Sequence, residues 1–206
     1  MKNLTDEELL VRHRGGDDEA LRELIVRYHD DLLRFLVRLL GGNRAAADDV
    51  FQEAFLQVHL AAESFDASRR FRPWLFTIAA NKARDLLRKN GRRQTLELSA
   101  PIGGQGGDGG TYIDLVQVAA ASPDAGLDAE EQNAMVQRAL NALSPSLREV
   151  LLLAYFQRMS YAQIADEIGI PLGTVKSRLH SAVAKFAAAW KRLASGNGGG
   201  ASGSGT

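Results

Sequence analysis

Trp74, Thr77, Asn81, Arg84 and Arg88 stand at steps of three, four, three and four residues, so on an α-helix they share one face. That face would join an indole, a hydroxyl, an amide and two guanidinium groups. Together these suit an unpaired nucleic-acid strand, because aromatic faces stack on bases while basic groups follow the phosphates. The plain alternative is that the indole packs against a neighbouring helix and the arginines extend their stems across apolar surface into water. Arg69, Arg70 and Arg72, just upstream, weigh toward nucleic acid by bringing three more cations to the same end of the helix.

A second set lies near the C-terminus. On a helix beginning around Pro171, Thr174, Ser177 and Ser181 fall on one side with Lys176 and Arg178 flanking them, while Val175, Leu179, Ala182, Val183 and Phe186 fall on the other. An apolar stripe that docks a helix, opposite short polar and basic side chains near its N-terminal end, is what reading the major groove of duplex DNA requires. No acid occurs from 171 to 192, which argues against an ordinary solvated face.

Other chemistry is poorly provided for. The chain has no cysteine, which excludes disulfides and thiolate metal sites and points to a reducing, cytoplasmic location. His13, His29, His59 and His180 have no second ligand at metal spacing, so neither a metal nor any other cofactor is expected. No phosphate-binding glycine loop, Gly-x-Ser-x-Gly motif or paired carboxylates suggest an enzyme. The opening "MKNLTDEELL" is polar, and no run approaches the roughly 20 apolar residues of a membrane span, so no membrane insertion is expected.

The formal net charge of zero hides a block pattern. Residues 1–68 carry −6, 69–93 carry +8, 94–133 carry −7 and 171–192 carry +5. Two basic islands among acidic segments imply two places that meet a polyanion and a remainder that repels one.

The elements that must hold these islands read as helices throughout. Thr5 and Glu8 have capping-box spacing before a short helix ended by Gly15 and Gly16. Leu21, Leu24, Ile25, Tyr28, Leu32, Phe35, Leu36 and Leu39 mark a long amphipathic helix that stops at Gly41 and Gly42. A third helix follows, and a fourth restarts near Pro73 and runs to about Asn90 and Gly91, with Leu75, Ile78, Ala79, Ala83 and Leu86 as its core face. Ser144 and Pro145 predict an N-cap and first turn, and Ser160 with Gln163 another capping box. Gly169 then supplies the tight turn between two helices, with the small Ala165 where they cross. The expected fold is all-α, with two small helical domains at 1–93 and 130–193. A flexible glycine-rich acidic linker at 94–129 joins them, and a disordered Gly/Ser tail occupies 194–206.

With both islands placed, the chain resembles an RNA polymerase sigma factor of the sigma-70 family, in its extracytoplasmic-function group. "DDVFQEAFLQV" and "FRPWLFTIAANKARDLLRK" are similar to the family's region two, and "LSPSLREVLLLAYFQRMSYAQIADEIGIPLGTVKSRLH" to its region four, the helix-turn-helix. The resemblance implies a protein that binds core RNA polymerase and directs promoter-specific initiation. Asp48, Asp49, Gln52, Glu53 and Phe55 would hold the clamp coiled coil of the largest subunit, and region four would meet the flap. The loop from Ser64 to Arg72 and the helix with Trp74, Asn81 and Arg84 would read the minus-ten element and capture a base flipped from the non-template strand. Thr174, Lys176, Ser177, Arg178 and His180 would read the minus-thirty-five element as duplex. Restraint by an anti-sigma factor is a further implication. Thr77 and Ile78 stand where primary sigma factors carry a tryptophan pair, which implies melting that depends on a stricter promoter sequence. The runner-up is a response-regulator-like helix-turn-helix protein that binds duplex DNA alone, which would need a strand-rich receiver domain.

Overall fold

The structure is a computed structural model of the chain, and it describes residues 4–94 and 129–197. The predicted linker lies almost wholly outside the described residues, as does most of the predicted tail. Among the described residues there are eight α-helices, one 3-10 turn and no strand.

The N-terminal half is built from α1 (Asp6–Arg14), α2 (Asp18–Leu39), α3 (Arg44–Ala61), a 3-10 turn (Ala62–Ser64) and α4 (Phe71–Gln94). Thr5 and Glu8 form the expected capping box on α1, and Asp17 and Asn43 cap α2 and α3 through their side chains. The acids at the start of α1 also reach across the bundle. Asp6 accepts from the Tyr28 hydroxyl and from Arg27 Nη1 at 3.1 Å, and Glu7 accepts from the backbone N–H of Phe71 at 2.8 Å. Burial, and then the bond to Asp6, push the Tyr28 phenol above its ordinary pKa. The first helix thus pins α2 and caps the start of α4.

The C-terminal half comprises α5 (Ala129–Asn141), α6 (Pro145–Phe156), α7 (Tyr161–Ile168) and α8 (Leu172–Asn197). Ser160 and Gln163 make the second capping box. Gly169 adopts φ 68°, the left-handed conformation that turns α7 into α8, where any other residue would be strained. Ser144 differs from expectation: it occupies the N-cap position of α6 without a capping hydrogen bond, and its hydroxyl lies 3.4 Å from that of Ser146. Two predicted boundaries also move. The fourth helix begins at Phe71 and continues through Gly91 to Gln94, and the last helix runs to Asn197 instead of ending near 193.

Buried apolar side chains form one continuous cluster through both halves. Where the halves meet, the C-terminal end of α2 is satisfied from the other half. Arg38, Leu39 and Gly41 carbonyls accept from Gln137 Nε2 (3.4 Å), Arg148 Nη1 (3.1 Å) and Asn141 Nδ2 (3.2 Å). Arg148 is buried and gives Nε and Nη2 to the carbonyls of Leu140 and Leu143, at 2.9 and 3.3 Å. Gly41 has φ 75°, and a Cβ there would stand 3.3 Å from Arg148 Nη1. Gly41→Ala should therefore cost about 1–3 kcal/mol, seen as a lower urea midpoint at unchanged slope.

Candidate nucleic-acid interface

The first basic island is positioned by the α3–α4 connection. Asp66 accepts from the N–H of Ser68 at 2.9 Å, and this bond holds its carboxyl below the usual carboxylate range. The turn so fixed leaves Ser64, Arg69 and Arg70 exposed at the mouth of α4. Trp74 follows on the first turn of α4, half-buried, with its ring 4.6 Å from that of Phe65 and 5.9 Å from that of Phe71. Trp74 thus packs on core aromatics, as the plain alternative expects, without being fully covered. A ring fixed by two neighbours loses little freedom when a base stacks on it.

Further along the face, Arg84 Nη1 donates to Asn81 Oδ1 at 2.9 Å, and Arg88 pairs with Asp85 at 2.5 Å. Arg72 is committed differently. Its guanidinium lies 5.1 Å from the centre of the Phe76 ring and 5.6 Å from that of Tyr28, and it gives both Nη atoms to Asp31 at 3.1 Å. Burial tends to raise the Asp31 pKa, but the hydrogen bonds from Arg34 and Arg72 outweigh it and hold the carboxyl below its ordinary value. Arg72 therefore braces α4 against α2 more than it offers itself to a ligand.

Thr77 overturns part of the expected face. It is 5% exposed and its hydroxyl has no hydrogen-bond partner, because α4 is covered on more sides than a two-sided wheel allows: Phe76, Ala79 and Ala80 are fully buried beside it. The face that remains is Trp74, Asn81, Arg84 and Arg88, with the arginine loop at its head.

The second island matches its expected layout closely. Val175, Leu179, Ala182 and Phe186 are buried, Val183 is half-buried, and Lys176 and Ser177 are exposed on the first turns of α8. Thr174, His180 and Ser181 are half-buried, and the Ser177 hydroxyl donates to the Thr174 carbonyl at 3.1 Å. Arg178 is half-buried and turned toward the other half, lining a cleft of about 440 Å³ with Arg84, Arg88 and Glu149.

On α3, Asp49, Gln52 and Glu53 are exposed and Asp48 pairs with Arg44 at 3.3 Å. Phe55 is a correction: at 5% exposure it is a core residue, 5.0 Å from the Phe51 ring, and it cannot contact a partner. Leu56 and Leu60 take its place at the surface, 58% and 66% exposed, in line with Gln52 at four-residue steps. That spacing was the available signal. Among the described residues no group of three or more side chains could hold a metal, and no helix is long and apolar enough to cross a membrane.

Comparison with known proteins bears on both halves. A family model described as Sigma-70 region 2 matches residues 24–93, and one described as Sigma-70, region 4 matches residues 133–186. The ECF RNA polymerase sigma factor SigW of Bacillus subtilis (strain 168) is 33% identical over 179 residues, covering 84% of this chain and 92% of its own. The ECF RNA polymerase sigma-E factor of Escherichia coli (strain K12) is 30% identical over 181 residues, covering 88% and 92%. Among solved structures, CnrH in complex with the cytosolic domain of CnrY aligns with a TM-score of 0.55 at 26% identity, over 91% of this chain and 97% of that one. The sigma factor RpoE of Bartonella quintana, solved with the anti-sigma factor NepR, aligns with a TM-score of 0.60 over 82% and 96%; at 24% identity it speaks to the fold alone.

Proposed function

The chain belongs to the sigma-70 family of RNA polymerase sigma factors, in its extracytoplasmic-function group, and from that premise we propose how its surfaces divide the work of initiation. As a sigma factor it directs promoter-specific transcription. The N-terminal half takes the opened minus-ten strand, with Trp74 stacking on an unstacked base and Asn81, Arg84 and the Arg69–Arg70 loop holding its edge and phosphates. Extruding a base costs a few kcal/mol, so a ring already fixed by Phe65 and Phe71 suits the task. The C-terminal half takes the minus-thirty-five duplex through the first turns of α8. The exposed stripe of Asp49, Gln52, Glu53, Leu56 and Leu60 on α3 meets the clamp coiled coil of core polymerase, with the acids toward its N-terminal end and the leucines toward its C-terminal end.

The observation that carries this proposal is two basic faces of unlike chemistry on one chain, one centred on an accessible indole and the other on short polar side chains at a helix start. Bond making belongs to the polymerase, and the setting is the cytoplasm where polymerase acts. Control by an anti-sigma factor, the kind of partner named for the Bartonella protein, is part of the same proposal. Mixing the purified chain with core polymerase should produce promoter-specific transcription. Duplex binding by the chain alone, without such transcription, would instead mean a helix-turn-helix regulator.

A narrower test concerns Lys176, exposed on the second turn of α8. Lys176→Ala should weaken upstream duplex binding about equally across sequences and lower the slope of log affinity against log salt by about 0.9, as for one lost phosphate contact. A slope unchanged in a salt titration would remove Lys176 from the interface.

A further inference from the structure

Arg38, near the C-terminal end of α2, is a half-buried cation without a counter-ion. Each of the other arginines on that helix has a carboxylate: Arg22 pairs with Glu19, Arg27 with Asp6 and Glu23, and Arg34 with Asp31. The Arg38 guanidinium instead lies over the Phe156 ring, 4.6 Å from its centre, and has no hydrogen bond or ion pair among the described residues. Burial, and then the like charge of Arg34, push it below its ordinary pKa. A cation partly withdrawn from water in this way calls for an anion. Stacking covers only the face of the guanidinium, so its in-plane N–H fork stays free to take one.

Arg38 lines a cleft of about 580 Å³ together with Arg34 and Arg44. Arg34 gives Nη2 to Asp31 at 2.6 Å and Arg44 gives Nε to Asp48 at 3.3 Å, and their other nitrogens carry no hydrogen bond among the described residues. Asn133 and Gln137 bring amides to the same cleft from α5. Asp30 is the only acid among the lining residues, and it is exposed and engaged with His29 at 2.8 Å. Three cations thus stand against one acid, and none of the residues given above to the opened strand, the duplex or the clamp takes part.

We propose that this cleft binds a small phosphorylated molecule, whose phosphate takes the fork of Arg38 and the free nitrogens of Arg34 and Arg44. Phosphate matches the planar fork of arginine with two parallel hydrogen bonds, as a carboxylate does. The volume exceeds what one phosphate fills and lies in the range of small-molecule clefts, so ligands up to nucleotide size are accommodated. A nucleic-acid backbone fits less well. Its phosphates need cations that stand out from the surface, whereas Arg38 is the most covered of the three. A bound ligand would touch α2, α3 and α5 together and so stabilise the folded chain.

The test titrates the full chain with inorganic phosphate, pyrophosphate and ATP in separate calorimetric arms at one fixed ionic strength, which distinguishes a free phosphate from a nucleotide. At least one of the three should bind saturably and raise the melting temperature. Arg38→Gln should weaken that binding about tenfold, and Arg38→Lys should lose most of it too, because lysine keeps the charge without the fork. Arg44→Gln, at an exposed position, should weaken binding about threefold and serves if the Arg38 variants disturb the packing on Phe156. Arg22→Gln, which removes an exposed arginine of α2 outside the cleft, should leave it unchanged. No saturable binding of any of the three anions overturns the proposal, as does an equal loss in Arg22→Gln or unaltered binding in both the Arg38 and Arg44 variants. If none of them binds but Arg38→Gln weakens binding of labelled duplex or single-stranded DNA, the cleft belongs to the nucleic-acid path and the small-molecule site falls.

Discussion

Promoter opening by the polymerase-bound chain should fall about five- to 150-fold on Trp74→Ala, the loss that corresponds to roughly 1–3 kcal/mol of base stacking. Binding to upstream duplex should change little, because α8 lies in the other half and makes its own contacts. Opening can be read with a fluorescent base in the minus-ten strand, and duplex binding by anisotropy on the same preparation. Trp74 also packs on Phe65 and Phe71, so part of any loss could come from a loosened core. Trp74→Phe separates the two effects, since it keeps a ring on the core while reducing the stacking area. Opening by the Phe variant should lie between the other two, with a melting temperature close to that of the unaltered chain. Equal losses of opening and duplex binding would assign Trp74 to packing alone.

The largest effect on stability should come from Phe76→Ala. Phe76 is fully buried on α4, edge-on to Phe35 at 5.2 Å and Tyr28 at 6.3 Å, with the Arg72 guanidinium over its face. Removing the ring deletes the apolar contact, both edge contacts and the seat of Arg72, so a cost of about 3–5 kcal/mol is expected. Against a total of about 5–15 kcal/mol, that leaves much of the chain unfolded under mild denaturant. Chemical denaturation followed by circular dichroism measures it directly, and a loss under about 1 kcal/mol would mean the site collapses far better than packed cores usually do.

Residues with a single strong neighbour relation were legible from sequence, and those in crowded or distant relations were not. The stripe of α8 was readable because that helix lies on its domain with one side open, so Val175, Leu179 and Ala182 are buried and Lys176 and Ser177 exposed, as a two-sided wheel requires. The same wheel misled on α4. That helix touches α2, α3 and the opposite half, so Phe76, Ala80 and Thr77 are buried outside the expected core face, while Ile78 and Leu86 are only half-buried. Phe55 failed for a related reason: the resemblance grouped it with Asp49, Gln52 and Glu53, but its side of α3 faces inward and Leu56 carries the exposure. The pairings of Arg84 with Glu149 and Arg69 with Glu167 join residues 65 and 98 positions apart, and no periodicity encodes such a meeting. Glycine was partly readable: Gly41 and Gly169 hold left-handed turns, whereas Gly91 does not stop α4.

Arg148 is anchored mainly in its own half. Of its three bonded carbonyls, those of Leu140 and Leu143 belong to its own half, and only that of Leu39 lies across the divide. For Arg148 itself, parting the halves surrenders one charge-assisted hydrogen bond, about 1.5–3 kcal/mol, which water can largely replace. A guanidinium that relied wholly on the far side would be stranded at a cost of about 3–5 kcal/mol and would act as a weld. Built this way, Arg148 acts at the joint as a clasp does: it keeps its place in its own half and reaches across with a single bond.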